Sequence, residues 1–263
     1  MPKLTFGKTE LYYQEYGKGE PLLMIAGLGS DSTSWLPVIV PLSNNYRVIV
    51  FDNRGVGRST SNNSGITIYQ MEEDVVRLIE QLNLDPVNII GHSMGGMIAM
   101  QLAANNPKLV KNLVLSATST IAGERNKYLL RDMAEYGENG MDKYLWFRNL
   151  FYWIFAPAFF NDRAMVEQAL NMAVAYRFPQ SPESFSNQVE AIINFDGTEC
   201  VQNIFSNTLL IGGSEDLLFP ASESEKLLSG IKGMESVIIQ GAAHSIHMDK
   251  PNEFIKTVED FLG

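Results

Sequence analysis

Asn88-Ile89-Ile90-Gly91-His92-Ser93-Met94-Gly95-Gly96 runs from an apolar stretch into a serine that has a glycine two residues to either side. Val87 to Ile90 reads as a buried strand, and Met94 to Asn105, rich in Ala and Met, reads as a helix. Gly91-His92-Ser93-Met94-Gly95 therefore matches Gly-x-Ser-x-Gly at a strand-to-helix turn, which would hold the Ser93 hydroxyl clear of the backbone at the top of a sheet. Such a turn brings backbone segments so close that its flanking positions have no room for a β-carbon. Ser93 is the candidate nucleophile; a merely structural glycine turn is the alternative, and the partners elsewhere in the chain weigh against it.

Outward from this turn the pattern is one of short apolar runs alternating with helices. Leu22 to Ile25, Arg47 to Phe51, Val87 to Ile90, Leu113 to Leu115, Thr208 to Ile211 and Val237 to Ile239 suit strands of a parallel sheet buried on both faces. Leu4 to Phe6 and Leu11 to Tyr16, joined through Gly7-Lys8-Thr9, read as an antiparallel hairpin at its edge. Thr67-Ile68-Tyr69-Gln70 has the form of a capping box ahead of Met71, Val75, Leu78, Ile79 and Leu82 at helical spacing, and Pro251 opens a last helix carrying Phe254, Val258, Phe261 and Leu262 inward. The alternation predicts a doubly wound α/β sheet with right-handed crossovers.

From about Ser119 to Gln202 no strand pattern appears, and helical stretches such as Ala164 to Tyr176 are punctuated by Pro157, Pro179 and Pro182. This segment is expected to be a helical cap, residues 119–202, inserted in a core made of 1–118 and 203–263. Its aromatic run, Leu145-Trp146-Phe147 and Leu150-Phe151-Tyr152-Trp153-Ile154-Phe155, serves either helix packing or an apolar pocket. Trp146, Phe151 and Trp153 are the candidate substrate contacts.

Composition narrows the function. The chain has 263 residues, 45% hydrophobic and 19% charged, with one cysteine, three histidines and a net charge of -10. The acidic balance argues against a nucleic-acid partner, because phosphate binding needs a positive face. Cys200 alone makes no internal disulfide, and a metal site is not expected from so few His and Cys. No run is long enough to span a bilayer, and Met1 to Gly7 lacks the apolar core of a secretory signal, so a cytoplasmic protein, monomeric or homodimeric, is expected.

A serine hydroxyl needs a histidine base and an acid that orients it. His92 adjoins Ser93 on a tight turn and reads as structural. His244 and His247 both follow the last strand in Gly241-Ala242-Ala243-His244-Ser245-Ile246-His247; His244, first beyond the strand and preceded by small residues, is the preferred base. For the acid, Asp216 in Gly212-Gly213-Ser214-Glu215-Asp216 precedes a new helix and is preferred to Glu215. After Leu113 to Leu115 stand Ser116-Ala117-Thr118, with no acid among them. An attacked carbonyl also requires oxyanion donors. The Met94 amide opens a helix, and the Leu28 amide lies in Gly27-Leu28-Gly29 after the first central strand.

Four stretches together carry a resemblance: Ile25-Ala26-Gly27-Leu28-Gly29 with Trp35; Phe51-Asp52-Asn53-Arg54-Gly55-Val56-Gly57-Arg58-Ser59; Gly91 to Gly96; and Gly212 to Asp216 with Gly241 to His244. In order and spacing the chain resembles an α/β-hydrolase-fold serine hydrolase outside the cap, and within that superfamily it looks most like 3-oxoadipate enol-lactonase-like esterases and small carboxylesterases. The resemblance implies Ser93, Asp216 and His244 as nucleophile, acid and base, Leu28 and Met94 amides as the oxyanion hole, no cofactor, and a structural turn at Asp52 to Ser59. Many relatives carry His where this chain has Ala26. The serine at the turn separates it from the dehalogenase and epoxide hydrolase branches, which use aspartate there. The expected activity is cleavage of a small apolar or aromatic ester or lactone. C–C bond hydrolysis, thioester or aminopeptidase chemistry with the same triad is the alternative within enzymes, and slow-turnover ligand sensing the alternative outside them.

Overall fold

Every second residue of the inner strands faces the opposite side of the sheet, so each strand feeds two apolar layers at once. The computed structural model describes residues 2–7, 9–60 and 66–263; Lys8, in the predicted hairpin turn, and Met1 lie outside them. β1 (Lys3–Phe6), β2 (Thr9–Tyr16), β3 (Glu20–Ile25), β4 (Tyr46–Phe51), β5 (Val87–His92), β6 (Val110–Ser116), β7 (Asn207–Gly213) and β8 (Glu235–Ile239) form one sheet in the order β1-β2-β4-β3-β5-β6-β7-β8. β1 and β2 pair antiparallel, β2 joins β4 antiparallel, and the remaining pairings are parallel.

Leu23, Ile25, Ile49, Phe51, Ile89, Leu113 and Leu115 point to one face, where α2 (Ile68–Leu82) and α3 (Met94–Asn105) cover them. Leu22, Met24, Val48, Val50, Ile90 and Val114 point to the other, under α1 (Leu36–Leu42) and α10 (Pro251–Leu262). Two expectations change. β8 is exposed along Glu235 to Ile238, because it is the outermost strand and pairs only with β7. The capping box of α2 is half formed: the Gln70 N–H donates to Thr67 Oγ1 at 3.1 Å, while Gln70 Oε1 has no partner.

Between β6 and β7 the chain is helical: α4 (Glu124–Glu138), α5 (Lys143–Ile154), α6 (Arg163–Val174) and α7 (Pro182–Ile193). Asp142, Asp162 and Ser181 cap the last three through backbone N–H groups, and Pro182 occupies the first turn of α7, where its missing N–H costs nothing. After β7 come α8 (Ala221–Leu228) and, beyond β8, the single turn α9 (Ile246–Asp249). Among the described residues no helix is long and apolar enough to cross a membrane.

One buried ion pair sets the loops above β3 and β4. Asp52 is fully buried and accepts from Ser32 N (2.9 Å), Ser32 Oγ (2.7 Å), Arg58 N (2.8 Å) and the Arg58 guanidinium (2.8 and 3.0 Å). The guanidinium also lies 3.9 Å from the Tyr12 ring centroid. Removing the cation would leave a buried carboxylate uncompensated. Arg58→Met is therefore expected to lower unfolding stability by about 3 kcal/mol, read from urea denaturation; a loss below about 1 kcal/mol would mean that Asp52 is adequately solvated without it.

Candidate active site

Ser93 follows β5 with φ 55° and ψ -120°, a backbone region that non-glycine residues avoid. Its neighbours explain how the turn is held. A β-carbon on Gly91 would lie 2.5 Å from the Gly95 carbonyl oxygen, and one on Gly95 would lie 2.1 Å from that of Ile25. Ser93 N–H donates to Ser116 O (2.9 Å), and Thr118 Oγ1 donates to Ser93 O (2.7 Å), tying the turn to the end of β6. Met94 is the first residue of α3, so its N–H has no acceptor within the helix and sits at the positive end of the helix dipole.

Gly27 packs directly on this turn: a β-carbon there would sit 3.1 Å from Ser93 Cβ and 3.2 Å from His92 Nδ1. Gly27 to Ser30 closes through Ser30 N–H to Gly27 O (3.3 Å), with φ +68° at Gly29 and negative φ at Leu28, which is a type II turn. Asn53 Nδ2 donates to Ala26 O (2.9 Å) and fixes the approach to that turn.

On the far side, Asp216 and His244 meet. His244 Nδ1–H donates to Asp216 Oδ2 at 3.0 Å, and Asp216 Oδ1 accepts from Leu218 N (2.8 Å) and Phe219 N (2.9 Å). Both side chains are buried. A carboxylate only accepts, so the proton belongs on Nδ1 and His244 Nε2 keeps its lone pair. The Phe219 ring lies parallel to the imidazole, centroids 5.7 Å apart. Glu215, by contrast, is exposed.

The structure separates the three histidines. His92 Nε2–H donates to the backbone carbonyl of His244 at 2.9 Å, and the two rings are 4.9 Å apart. The residue beside Ser93 thus carries the loop of the candidate base. Burial drives the His92 pKa down to about 3, and the neighbouring His244 adds to the effect. His247 lies on the other side of His92, ring centroids 4.8 Å apart and 4.4 Å from Trp35, and burial holds it well below the usual imidazole range. Asp216 bonds to His244 and not to His247.

The aromatic residues of α5 mostly pack against other helices of the segment. Trp146 stacks edge-on against Phe185 of α7 (5.1 Å) and donates to Met133 O (2.9 Å); Phe151 sits between Phe155 (5.0 Å) and Phe159 (6.0 Å); Trp153 donates to Asn149 Oδ1 (3.3 Å). A β-carbon on Gly29 would meet the Phe185 ring at 3.4 Å, and Leu28 and Trp146 pack on the same cluster, placing Trp146 one ring away from the Leu28 turn. Two groups carry no sequence motif. Asp249 accepts from Ala243 N (2.8 Å) and Ala156 N (3.2 Å), with its carboxyl pKa raised by burial, and Gln188 accepts from Gly29 N (3.2 Å). Among the described residues no group of three or more His, Cys, Asp or Glu side chains is arranged to hold a metal ion.

A strand-turn-helix serine, a buried Asp–His pair at the ends of neighbouring strands and a glycine-rich turn after β3 define a class, and comparison with known proteins gives it a family. The family described as alpha/beta hydrolase fold matches residues 20–251, and the chain belongs to it. Similar proteins include "Putative carbamate hydrolase RutD" of Azorhizobium caulinodans, 28% identical over 100% of this chain and 98% of that protein. Pyrrolizixenacetamide deacetylase of Xenorhabdus hominickii is 26% identical, again over 100% of this chain and 98% of its own length. Among solved structures, the enol-lactonase from Burkholderia xenovorans LB400 superposes with TM-score 0.89 at 25% identity, over 99% of both chains.

The buried neutral His92 makes stability depend on pH. Its folded pKa, about 3, lies below the ordinary value of 6.5, so the unfolded chain binds the proton more readily and stability falls as pH drops from 6.5 toward 3. At pH 5 this one residue should cost about 2 kcal/mol relative to neutral pH. Urea unfolding of the parent and His92→Gln at pH 7.5 and pH 5 is expected to show a pH-induced loss about 2 kcal/mol smaller in the variant. Equal losses in the two proteins would show that His92 is not the group responsible.

Proposed function

We propose that this α/β hydrolase cleaves a small carboxylic ester or lactone through an acyl-enzyme on Ser93, with His244 as general base and acid, Asp216 orienting His244, and the Leu28 and Met94 amides receiving the oxyanion. The observation that carries this reading is the His244–Asp216 hydrogen bond: it holds the imidazole in the tautomer whose Nε2 accepts a proton, on a residue whose carbonyl is bonded to the neighbour of Ser93. The Ser93 hydroxyl passes its proton to His244 Nε2 as Oγ attacks the carbonyl carbon. The C=O electron pair becomes an oxyanion facing the two amides. Collapse re-forms the C=O, breaks the bond to the leaving oxygen, and returns the proton from His244 to that oxygen. Water then repeats the sequence on the acyl-enzyme, giving the carboxylic acid and free Ser93.

Residues 119–202 are read as a cap over this site. Rings reaching toward the Leu28 turn through Trp146 and Phe185 favour an apolar or aromatic substrate, whereas Phe151 packs on Phe155 and Phe159 and Trp153 bonds Asn149. The similarity to the enol-lactonase supports a lactone or ester. A second reading, hydrolysis of an amide or carbamate by the same three residues, draws on the relatives named deacetylase and carbamate hydrolase. An activity screen over acyl chain lengths, lactones, carbamates and anilides separates the two.

The residue roles are tested together. A fluorophosphonate probe is expected to label Ser93, and both Ser93→Ala and His244→Ala to lower p-nitrophenyl acetate turnover by roughly 10⁴-fold or more. His247→Ala, which removes a packed ring behind His92, is expected to retain turnover in whatever fraction folds. The reverse pattern for the two histidines would make His247 the base, and full activity of Ser93→Ala would remove the acyl-enzyme.

A further inference from the structure

Leu28 stands between two glycines, and a glycine-flanked amide has no side chain of its own neighbours to hold it in one orientation. Its turn is instead fixed from outside, by Asn53 on the Ala26 carbonyl before it and by Gln188 on the Gly29 amide after it. Gln188 belongs to α7, in the helical segment, 159 residues further along the chain. It is fully buried and occupies the helix face of Phe185 and Ile192, which lie three residues before and four residues after it on that same buried stripe.

A primary amide in such a place is costly unless its hydrogen bonds are made, and apolar side chains fill the adjoining positions. Here the bonds are made, and they converge on the site. Gln188 Oε1 accepts from Gly29 N–H (3.2 Å) and Gln180 Nε2–H (3.0 Å), while Gln188 Nε2–H donates to Arg54 O (3.0 Å) on the Asp52 to Ser59 turn. The Gly29 N–H belongs to the central peptide of the type II turn, the unit whose flip interconverts turn types I and II. An acceptor fixed on that N–H selects one of the two.

We propose that Gln188 is a positioning residue for oxyanion stabilisation: it anchors the Leu28–Gly29 peptide, directly after the Gly27–Leu28 peptide that carries the Leu28 N–H, and so holds the turn bearing that donor from the helical segment rather than from the sheet. The inference rests on the reading of Leu28 as an oxyanion donor in a Ser93-dependent hydrolase. It makes the helical segment part of the geometry that sets the rate.

The test is steady-state kinetics of the full chain on p-nitrophenyl acetate, with folding checked by circular dichroism. Gln188→Met keeps the volume and removes the acceptor; it is expected to lower kcat roughly tenfold or more with KM little changed, because the donor acts on charge that develops in the transition state. Gln188→Glu restores an acceptor for Gly29 N–H and is expected to recover most of that loss. Gln180→Met removes the bonds of that side chain to Gly55 O and to Gln188 Oε1 but leaves Gln188 held by Arg54 O with its acceptor facing Gly29 N–H, and kcat should stay near the parent value. Parent-like kcat in Gln188→Met, no recovery in Gln188→Glu, or an equal fall in Gln180→Met would each overturn the proposal. If Gln188→Met does not fold, Gln188→Asn takes its place: the amide stays but falls one methylene short, and a parent-like kcat overturns the proposal while a matching fall supports it. Absence of Ser93-dependent turnover in the parent would defeat the hydrolase reading itself; normal parent turnover with an indifferent Gln188 defeats this inference alone.

Discussion

The backbone at Ser93 is the constraint from which the rest of the site follows. A non-glycine residue at φ 55° and ψ -120° costs on the order of 1–3 kcal/mol and persists only where its surroundings over-determine it. Here they do so from three directions. β5 is hydrogen-bonded on both sides, to β3 and β6, so the chain must leave the sheet at His92. The first turn of α3 lies so close to Ile25 that position 95 admits only glycine, and the Ser93 backbone is bonded at both ends, through N–H to Ser116 and through C=O to Thr118. The strain is offset by sheet and helix packing that would form in any case. The side chain is left at the carboxyl ends of the parallel strands, where the loops after β3, β7 and β8 also emerge.

Electrostatics at that point are arranged by burial as much as by charge. Three imidazoles stand in the order His244, His92, His247, with successive ring centroids 4.9 and 4.8 Å apart. If all three titrated normally, a proton arriving at His244 would meet neighbouring positive charge. Desolvation keeps His92 and His247 neutral across the ordinary working range, and among the described residues the charged side chain bonded to His244 is Asp216. The ring packed on His244 and the one behind it therefore add no positive charge there. His92 serves this arrangement while bonding the His244 carbonyl, which explains a polar ring in an otherwise apolar layer.

What was legible in the chain depended on how local the signal was. The strands of the sheet could be read because burial on two faces leaves a continuous apolar run; β8 broke the rule because an edge strand keeps its apolar composition while losing half of its cover. Ser93, Asp216 and His244 stood out because few residues of the right type follow the right strands, and three histidines leave a short choice. Gln188 and Asp249 were not legible as site residues, since each acts on backbone amides of segments remote in sequence and no spacing rule connects them. Gln188 did leave a trace, a glutamine within the apolar stripe of a helix, but only the fold reveals which amide it meets.

Those remote bonds change what the helical segment is. Each loop that builds the site is held by it. Arg125 and Asn126 of α4 bond the carbonyls of Leu217 and Leu218, directly after Asp216. At the end of α5, Ile154 O receives Ser245 N–H (2.8 Å) and Ala156 N–H meets Asp249, so both neighbours of His244 are tied there. Tyr176 bonds Asp31, and Gln188 bonds Gly29. The sheet alone places the ends of its strands to within the freedom of the loops beyond them, and catalytic geometry tolerates far less than that freedom. The helical segment thus removes that slack, holding loops that the sheet alone leaves free. Changes elsewhere in the segment that keep Asn126, Gln188 and the α5 terminus preserve the constellation; changes at those positions disturb it while leaving Ser93, Asp216 and His244 in the chain.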